Sequence, residues 1–160
     1  VFENAPLNPN LHKSYIQQVT EYLFCIGKPH QTRQYSATPV CWHKPTEGWF
    51  KLNSNGASLG NPGRAGGGGL IHDCNGNWVK GYVRNIGVAT SIIAEFWALR
   101  DGLILASQLG ITQLIVELDA KVIVDLVLSI NASNRAYASL LNDCRFLLNH
   151  FQRVNINHVY

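Results

Sequence analysis

From Gly48 onward the chain carries a two-residue period. Trp49, Lys51, Asn53, Asn55 and Ala57 would share one face of a strand, and Phe50, Leu52, Ser54 and Gly56 the other. Gly60-Asn61-Pro62-Gly63 predicts a turn, because proline presets φ and glycine tolerates φ > 0. A second strand follows over 66–72, glycine-rich at its start, and Asn75-Gly76 is a strong hairpin signal. Residues 78–85 give a third strand, so the first three form an antiparallel meander. The period then changes to that of a helix. Thr90 or Ser91 can cap a helix running to about Gln108, with Gly110 beyond its end. Ala94, Trp97, Ala98, Leu105 and Leu109 fall on one stripe of it. Residues 114–118 are a short apolar run of the kind that fills a buried central strand. Helices are predicted over 120–130 and 137–150, separated by a break at 131–134, and a last alternating strand over 154–160. The order β-β-β-α-β-α-α-β implies an α/β domain, a mixed five-stranded sheet with helices packed on it.

The first 47 residues differ. Residues 11–26 read as an amphipathic helix ended by Gly27 and Pro29, and 27–47, with Pro29, Pro39 and Pro45, as a linker. The division is therefore an arm and linker over 1–47 and a domain over 48–160. With 46% apolar and 14% charged residues in 160, wholesale disorder is excluded, and no apolar run is long enough for a membrane span. The chain has no methionine and stops at Tyr160 inside a predicted strand, so it reads as an excerpt of a longer translation product. Net charge is +3, a mild basic bias rather than the clustered footprint of a strong nucleic-acid binder. Cys25, Cys41, Cys74 and Cys144 form no C-x-x-C pair, so reduced thiols in an intracellular protein are expected.

The ten carboxylates can be placed one by one. Glu3, Glu21 and Glu47 fall in the arm and linker, and Asp73 beside the hairpin turn. Asp101, Asp125 and Asp143 read as solvated helix faces, and Glu117 lies on the fourth strand. Two stand out. Glu95 opens the first long helix, and Asp119 ends the buried fourth strand, where open α/β sheets place ligands. If the first and fourth strands are neighbours, both acids converge near Asn55.

At that point the residues carry a resemblance. Lys51-Leu52-Asn53-Ser54-Asn55-Gly56-Ala57-Ser58-Leu59-Gly60-Asn61-Pro62-Gly63 resembles the first-strand signature of ribonuclease H type 1 domains, most closely the branch found in plant non-LTR retrotransposon reverse transcriptases. Ala94-Glu95-Phe96-Trp97-Ala98-Leu99-Arg100-Asp101-Gly102 resembles that branch's second motif, and Val116-Glu117-Leu118-Asp119-Ala120-Lys121 its third. The resemblance implies a ribonuclease H-like fold and hydrolysis of the RNA strand of an RNA–DNA hybrid with two Mg²⁺ ions. Asn55, Glu95 and Asp119 would be the catalytic and metal-binding positions, and Asn61 and Ser91 the nucleic-acid contacts. It also implies an upstream reverse transcriptase in the same polyprotein.

Two departures from the family pattern accompany it. The position that bridges the metals is Asn55 rather than aspartate; an amide has one carbonyl oxygen, no net charge and an NH₂ that cannot bind metal. The chain also stops before the family's final helix and its last acid. The expectation is a domain that binds hybrid and cleaves weakly. A competent enzyme in the full-length protein and a decayed or domesticated domain serving only binding or protein contacts are the alternatives. Gly66-Gly67-Gly68-Gly69 fits no phosphate-binding motif and reads as close backbone packing against the first strand. Trp97 reads as core or hinge packing and His158 as a structural histidine.

Overall fold

The computed structural model describes residues 41–129 and 136–159; the predicted helix over 11–26, the linker up to residue 40 and the break over 131–134 lie outside them. The described residues belong to a compact unit over 37–160. Its strands are β1 (Phe50–Gly60), β2 (Gly63–His72), β3 (Trp78–Ala89), β4 (Gln113–Leu118) and β5 (Arg153–His158). Its helices are α1 (Ser91–Gln108), α2 (Lys121–Leu128) and α3 (Ala138–Leu148). One sheet contains all five strands in the order β3-β2-β1-β4-β5. β2 is antiparallel to both β1 and β3, whereas β4 is parallel to β1 and to β5. The mixed sheet and the element order agree with the sequence expectation.

The turns form where the local chemistry asks for them. Asp73 Oδ1 accepts from the backbone N–H groups of Asn75 and Asn77 at 2.9 and 2.8 Å, and Gly76 takes φ +85°. Thr90, rather than Ser91, caps α1: its side chain accepts from the Ile93 N–H. The Asn61 side-chain oxygen accepts from the Ser91 N–H at 3.1 Å, tying the β1–β2 turn to the same helix start. Strand β3 runs four residues beyond its predicted end. Its pairing with β2 slips at Ala65/Gly66, where Gly87 adopts φ +87° and absorbs an extra residue.

All three helices bury their apolar sides on one face of the sheet. Leu52, Ile71, Leu114, Val116 and Leu118 from the strands meet Phe96, Leu99 and Leu103 of α1, Ile123 of α2 and Leu141 of α3 in a single core. Each such side chain contributes about 1.5–3 kcal/mol on full burial. The buried arc of α1 differs from the predicted stripe. Ala94 and Ala98 are buried as expected, but Trp97 and Leu105 are half-buried and Leu109 is exposed, while Phe96, Leu99 and Leu103 carry the packing. The indole of Trp97 instead lies beside two guanidiniums, with Arg84 4.5 Å and Arg100 5.3 Å from the ring centroid. Asp101 is likewise no free solvated acid: it holds Arg84 through a two-pronged ion pair. Among the described residues no helix is long and apolar enough to cross a membrane.

The glycine run serves close approach, chiefly to α1 and β3 rather than to β1. A Cβ on Gly67 would lie 2.9 Å from the Ala98 Cβ. On β1 itself Gly56 is still tighter, since a Cβ there would lie 2.2 Å from the Ala94 carbonyl carbon. These contacts bring the start of α1 directly over the strand that carries Asn55.

Candidate functional site

The parallel ladder between β1 and β4 ends at the pair Ser54–Leu118. Asn55 and Asp119 are the next residues on their two strands, so they face each other where the ladder opens. Both line a cleft of about 310 Å³ together with Asn53, Glu117, Gly68 and Leu70. Asn55 and Asp119 are exposed there.

Glu95 enters from the helix side. It is the fifth residue of α1, one position past the first turn, and it is buried at 8% exposure. Its carboxyl accepts the Gly56 backbone N–H and meets the Asp119 side chain. Burial first, and the Asp119 charge second, push its pKa up to about 8, against which the Gly56 hydrogen bond works only partly. Its Oε2 is a buried oxygen without a hydrogen-bond partner among the described residues. An orphaned oxygen next to a second carboxylate is the donor pattern that a hard cation satisfies. The three predicted positions therefore converge, with Asn55 and Asp119 in the cleft and Glu95 behind Gly56 and touching Asp119. Among the described residues no cluster of three or more His, Cys, Asp or Glu side chains is arranged to hold a metal.

The two remaining predicted positions sit together just past the carboxyl end of β1. Asn61 and Ser91 are joined by the hydrogen bond described above, which uses the Asn61 oxygen; Asn61 is exposed and Ser91 half-buried. His158 supports the site only indirectly. Its Nε2 lies 3.0 Å from the backbone carbonyl oxygen of Asp119, steadying the strand end rather than entering the cleft. Sequence reasoning left Glu117, Asn53 and Lys51 unassigned. Glu117 lines the cleft, accepts from Asn53 Nδ2 at 2.8 Å and pairs with Lys51 Nζ at 2.6 Å. The available signal was an acid interrupting an apolar strand at the same parity as Asp119.

A mixed sheet in the order 3-2-1-4-5, helices over one face and acids at the opening of its central strands define a ribonuclease H-like domain. Two solved structures agree. Ribonuclease H1 of the halophilic archaeon Halobacterium salinarum NRC-1 is 28% identical with a TM-score of 0.66, over 69% of this chain and 85% of that one. The N-terminal RNase H domain of rv2228c from Mycobacterium tuberculosis is 28% identical with a TM-score of 0.67, over 70% and 87%. Residues 53–160 match the reverse transcriptase-like family, and the chain belongs to it. An Arabidopsis thaliana protein named as a ribonuclease H protein is 36% identical over 121 residues, 76% of this chain and 20% of the relative. The chain thus spans about a fifth of the length of that curated relative.

Proposed function

We propose that the domain binds RNA–DNA hybrid and retains, in weakened form, metal-dependent hydrolysis of its RNA strand. The observation that carries the reading is the meeting of Asn55 and Asp119 at the open end of the β1–β4 ladder, with the buried Glu95 against Asp119. Family membership and two ribonuclease H structures at 28% identity support the substrate class.

The donor types suit Mg²⁺: two carboxylates from Glu95 and Asp119 and an amide oxygen from Asn55 are hard oxygen ligands. When bound, Mg²⁺ supplies charge neutralisation at the scissile phosphate and a water of lowered pKa. The protein's own side chains set how well this works. Glu95 holds a proton near neutral pH and must release it to act as a ligand. Asp119 places an exposed side chain beside it. Asn55 contributes an oxygen but no charge, so two negative charges at most face a pair of dications where the aspartate form would bring three. Losing one preorganised charged group of this kind costs on the order of 10²-fold in rate.

Hybrid is recognised by shape, phosphates and 2′-hydroxyls rather than base edges. Asn61 and Ser91, paired at the start of α1, offer an amide NH₂ and a hydroxyl to a phosphate beside a helix N-terminus. An upstream reverse transcriptase in the same polyprotein would deliver such hybrids. The test is fluorescence anisotropy in Mg²⁺ with an RNA–DNA hybrid against DNA duplex of the same sequence. Preference for the hybrid, weakened in Asn61→Ala and Ser91→Ala, is expected; equal and weak binding of both duplexes, as by a neutral control protein, would overturn the reading.

A further inference from the structure

Residues 42–45 cross the face of the sheet that the helices leave open, and they tie it together beside the cleft. The Trp42 indole N–H donates to Asn53 Oδ1 at 3.3 Å. Asn53 Nδ2 donates to Glu117 Oε2 at 2.8 Å. Glu117 Oε1 meets Lys51 Nζ at 2.6 Å. Lys51 in turn donates to the His43 carbonyl, and its Nζ lies 5.1 Å from the centroid of the Trp42 ring. The ring of contacts closes on the segment where it began. The same indole packs on His72, with centroids 5.0 Å apart, and reaches Gly76 at the β2–β3 turn.

The identity of each member follows from the relay. Position 53 has to accept an indole N–H and donate to a carboxylate at once, and the asparagine amide does so with two separate atoms, Oδ1 and Nδ2; aspartate could not donate and an apolar residue could do neither. Lys51 is 5% exposed, so its ammonium needs both the Glu117 carboxylate and the His43 carbonyl. Asn53 and Glu117 are also register partners across β1 and β4. They stand two residues before Asn55 and Asp119 on the same strands, and all four line the cleft.

We propose that Trp42 and Asn53 are positioning residues. Through Glu117 they fix β1 against β4 and so set the spacing of Asn55 and Asp119. The proposal rests on the reading of this cleft as the hybrid site, and it extends the working domain back to residue 42. Trp42→Phe tests it, because the ring that packs on His72 and Gly76 stays and only the N–H donor to Asn53 goes. Amide hydrogen exchange at 53–55 and 117–119 is expected to quicken about tenfold in this variant, while Leu99 and Leu103 amides in α1 stay within about twofold. Hybrid affinity in Mg²⁺ is expected to fall about fivefold, the equivalent of one net hydrogen bond.

Unchanged exchange at the cleft amides overturns the clamp. Faster exchange with unchanged hybrid affinity overturns the positioning role. Failure of the unmodified chain to bind hybrid overturns the functional reading alone, since exchange still decides the clamp. A measurement that needs no variant covers loss of folding. In the unmodified chain the Trp42 indole N–H, on a ring 46% exposed but hydrogen-bonded to Asn53, is expected to exchange more slowly than that of Trp78, which is 66% exposed. Equal rates contradict the proposal.

Discussion

Replacing Gly56 by alanine couples the fold to the site in a single atom. The added Cβ would lie 2.2 Å from the Ala94 carbonyl carbon, 2.3 Å from the Glu95 nitrogen and 2.4 Å from the Ala94 oxygen. Ordinary contact begins at 3.4 Å, so α1 must withdraw from β1 by roughly 1 Å. All three atoms are backbone, and no side-chain rotamer can relieve the clash. Overpacking costs about 1–3 kcal/mol, and this site belongs at the upper end. Withdrawal also strains the Gly56 N–H bond to the Glu95 carboxyl, worth about 1 kcal/mol more. A loss of about 3–4 kcal/mol follows, against total stabilities of about 5–15 kcal/mol for domains of this kind. At about 3 °C per kcal/mol, the melting temperature should fall by roughly 10 °C. Urea unfolding followed by tryptophan fluorescence gives the free energy, with Gly66→Ala as control. A Cβ there meets only the Arg84 carbonyl oxygen, at 3.3 Å, and should cost less than about 1 kcal/mol. A Gly56→Ala protein within about 0.5 kcal/mol of the parent would refute the claim that backbone contact at this glycine sets the seat of α1.

Further outcomes follow from the buried charges. Glu117→Ala leaves the Lys51 ammonium buried without its carboxylate and should cost about 3–5 kcal/mol by urea unfolding; the double variant Lys51→Met, Glu117→Leu should recover most of that, and an equal loss in both would show that the pair is not the cause. The pH dependence has a defined sign. The folded Glu95 carboxyl titrates at about 8 and its ordinary value is 4.5, so between these pH values the native state keeps a proton that the unfolded chain releases. In metal-free buffer, stability should therefore decline as pH rises from about 5 to 8, by a fraction of the limiting 1.4 kcal/mol per pH unit. Asp119→Asn removes the second cause of the shift and should flatten the decline. A melting temperature that rises across this range would contradict the burial of Glu95 as a carboxyl.

Local signals carried most of the fold. Alternation marked the strands, Asn75-Gly76 and Asp73 the hairpin, and the Thr90/Ser91 pair the start of α1. What escaped was set at long range. Strand β3 continues past its expected end at Asn85, because the pairing with β2 slips beside Gly87, at φ +87°, and then resumes. The stripe on α1 was misplaced because that helix packs on the sheet and on α3 together. Its buried side therefore covers Ile92, Phe96, Leu99 and Leu103 in one broad arc. An indole counts as apolar in any periodicity, so Trp97 was assigned to core or hinge packing, although arginines can hold such a ring at the surface. For the candidate site, the convergence of Asn55, Glu95 and Asp119 was legible from position on their elements once β1 and β4 were taken as neighbours. The Lys51–Glu117–Asn53–Trp42 relay was not, because its members lie up to 75 positions apart and are brought together by the β1–β4 register and by the loop that carries Trp42 back to Asn53. Residues 41–47 read as linker for the same reason: their composition is that of a loop, while the contacts of Trp42 and His43 with Asn53, His72 and Lys51 join them to β1 and β2.

The decisive measurement is Mg²⁺-dependent cleavage of an RNA–DNA hybrid by the unmodified chain and by Asn55→Asp, with Asn55→Asp, Glu95→Gln as the silent control. Fresh protein checked by mass is required, because an asparagine followed by glycine deamidates slowly and would create the variant in the tube. Restoring the carboxylate at the mouth of the β1–β4 ladder should raise the rate by about 10²-fold or more, with hybrid affinity little changed. Equal cleavage by the two proteins, or none by either despite tight hybrid binding, would contradict the claim that Asn55, Glu95 and Asp119 form a weakened ribonuclease centre.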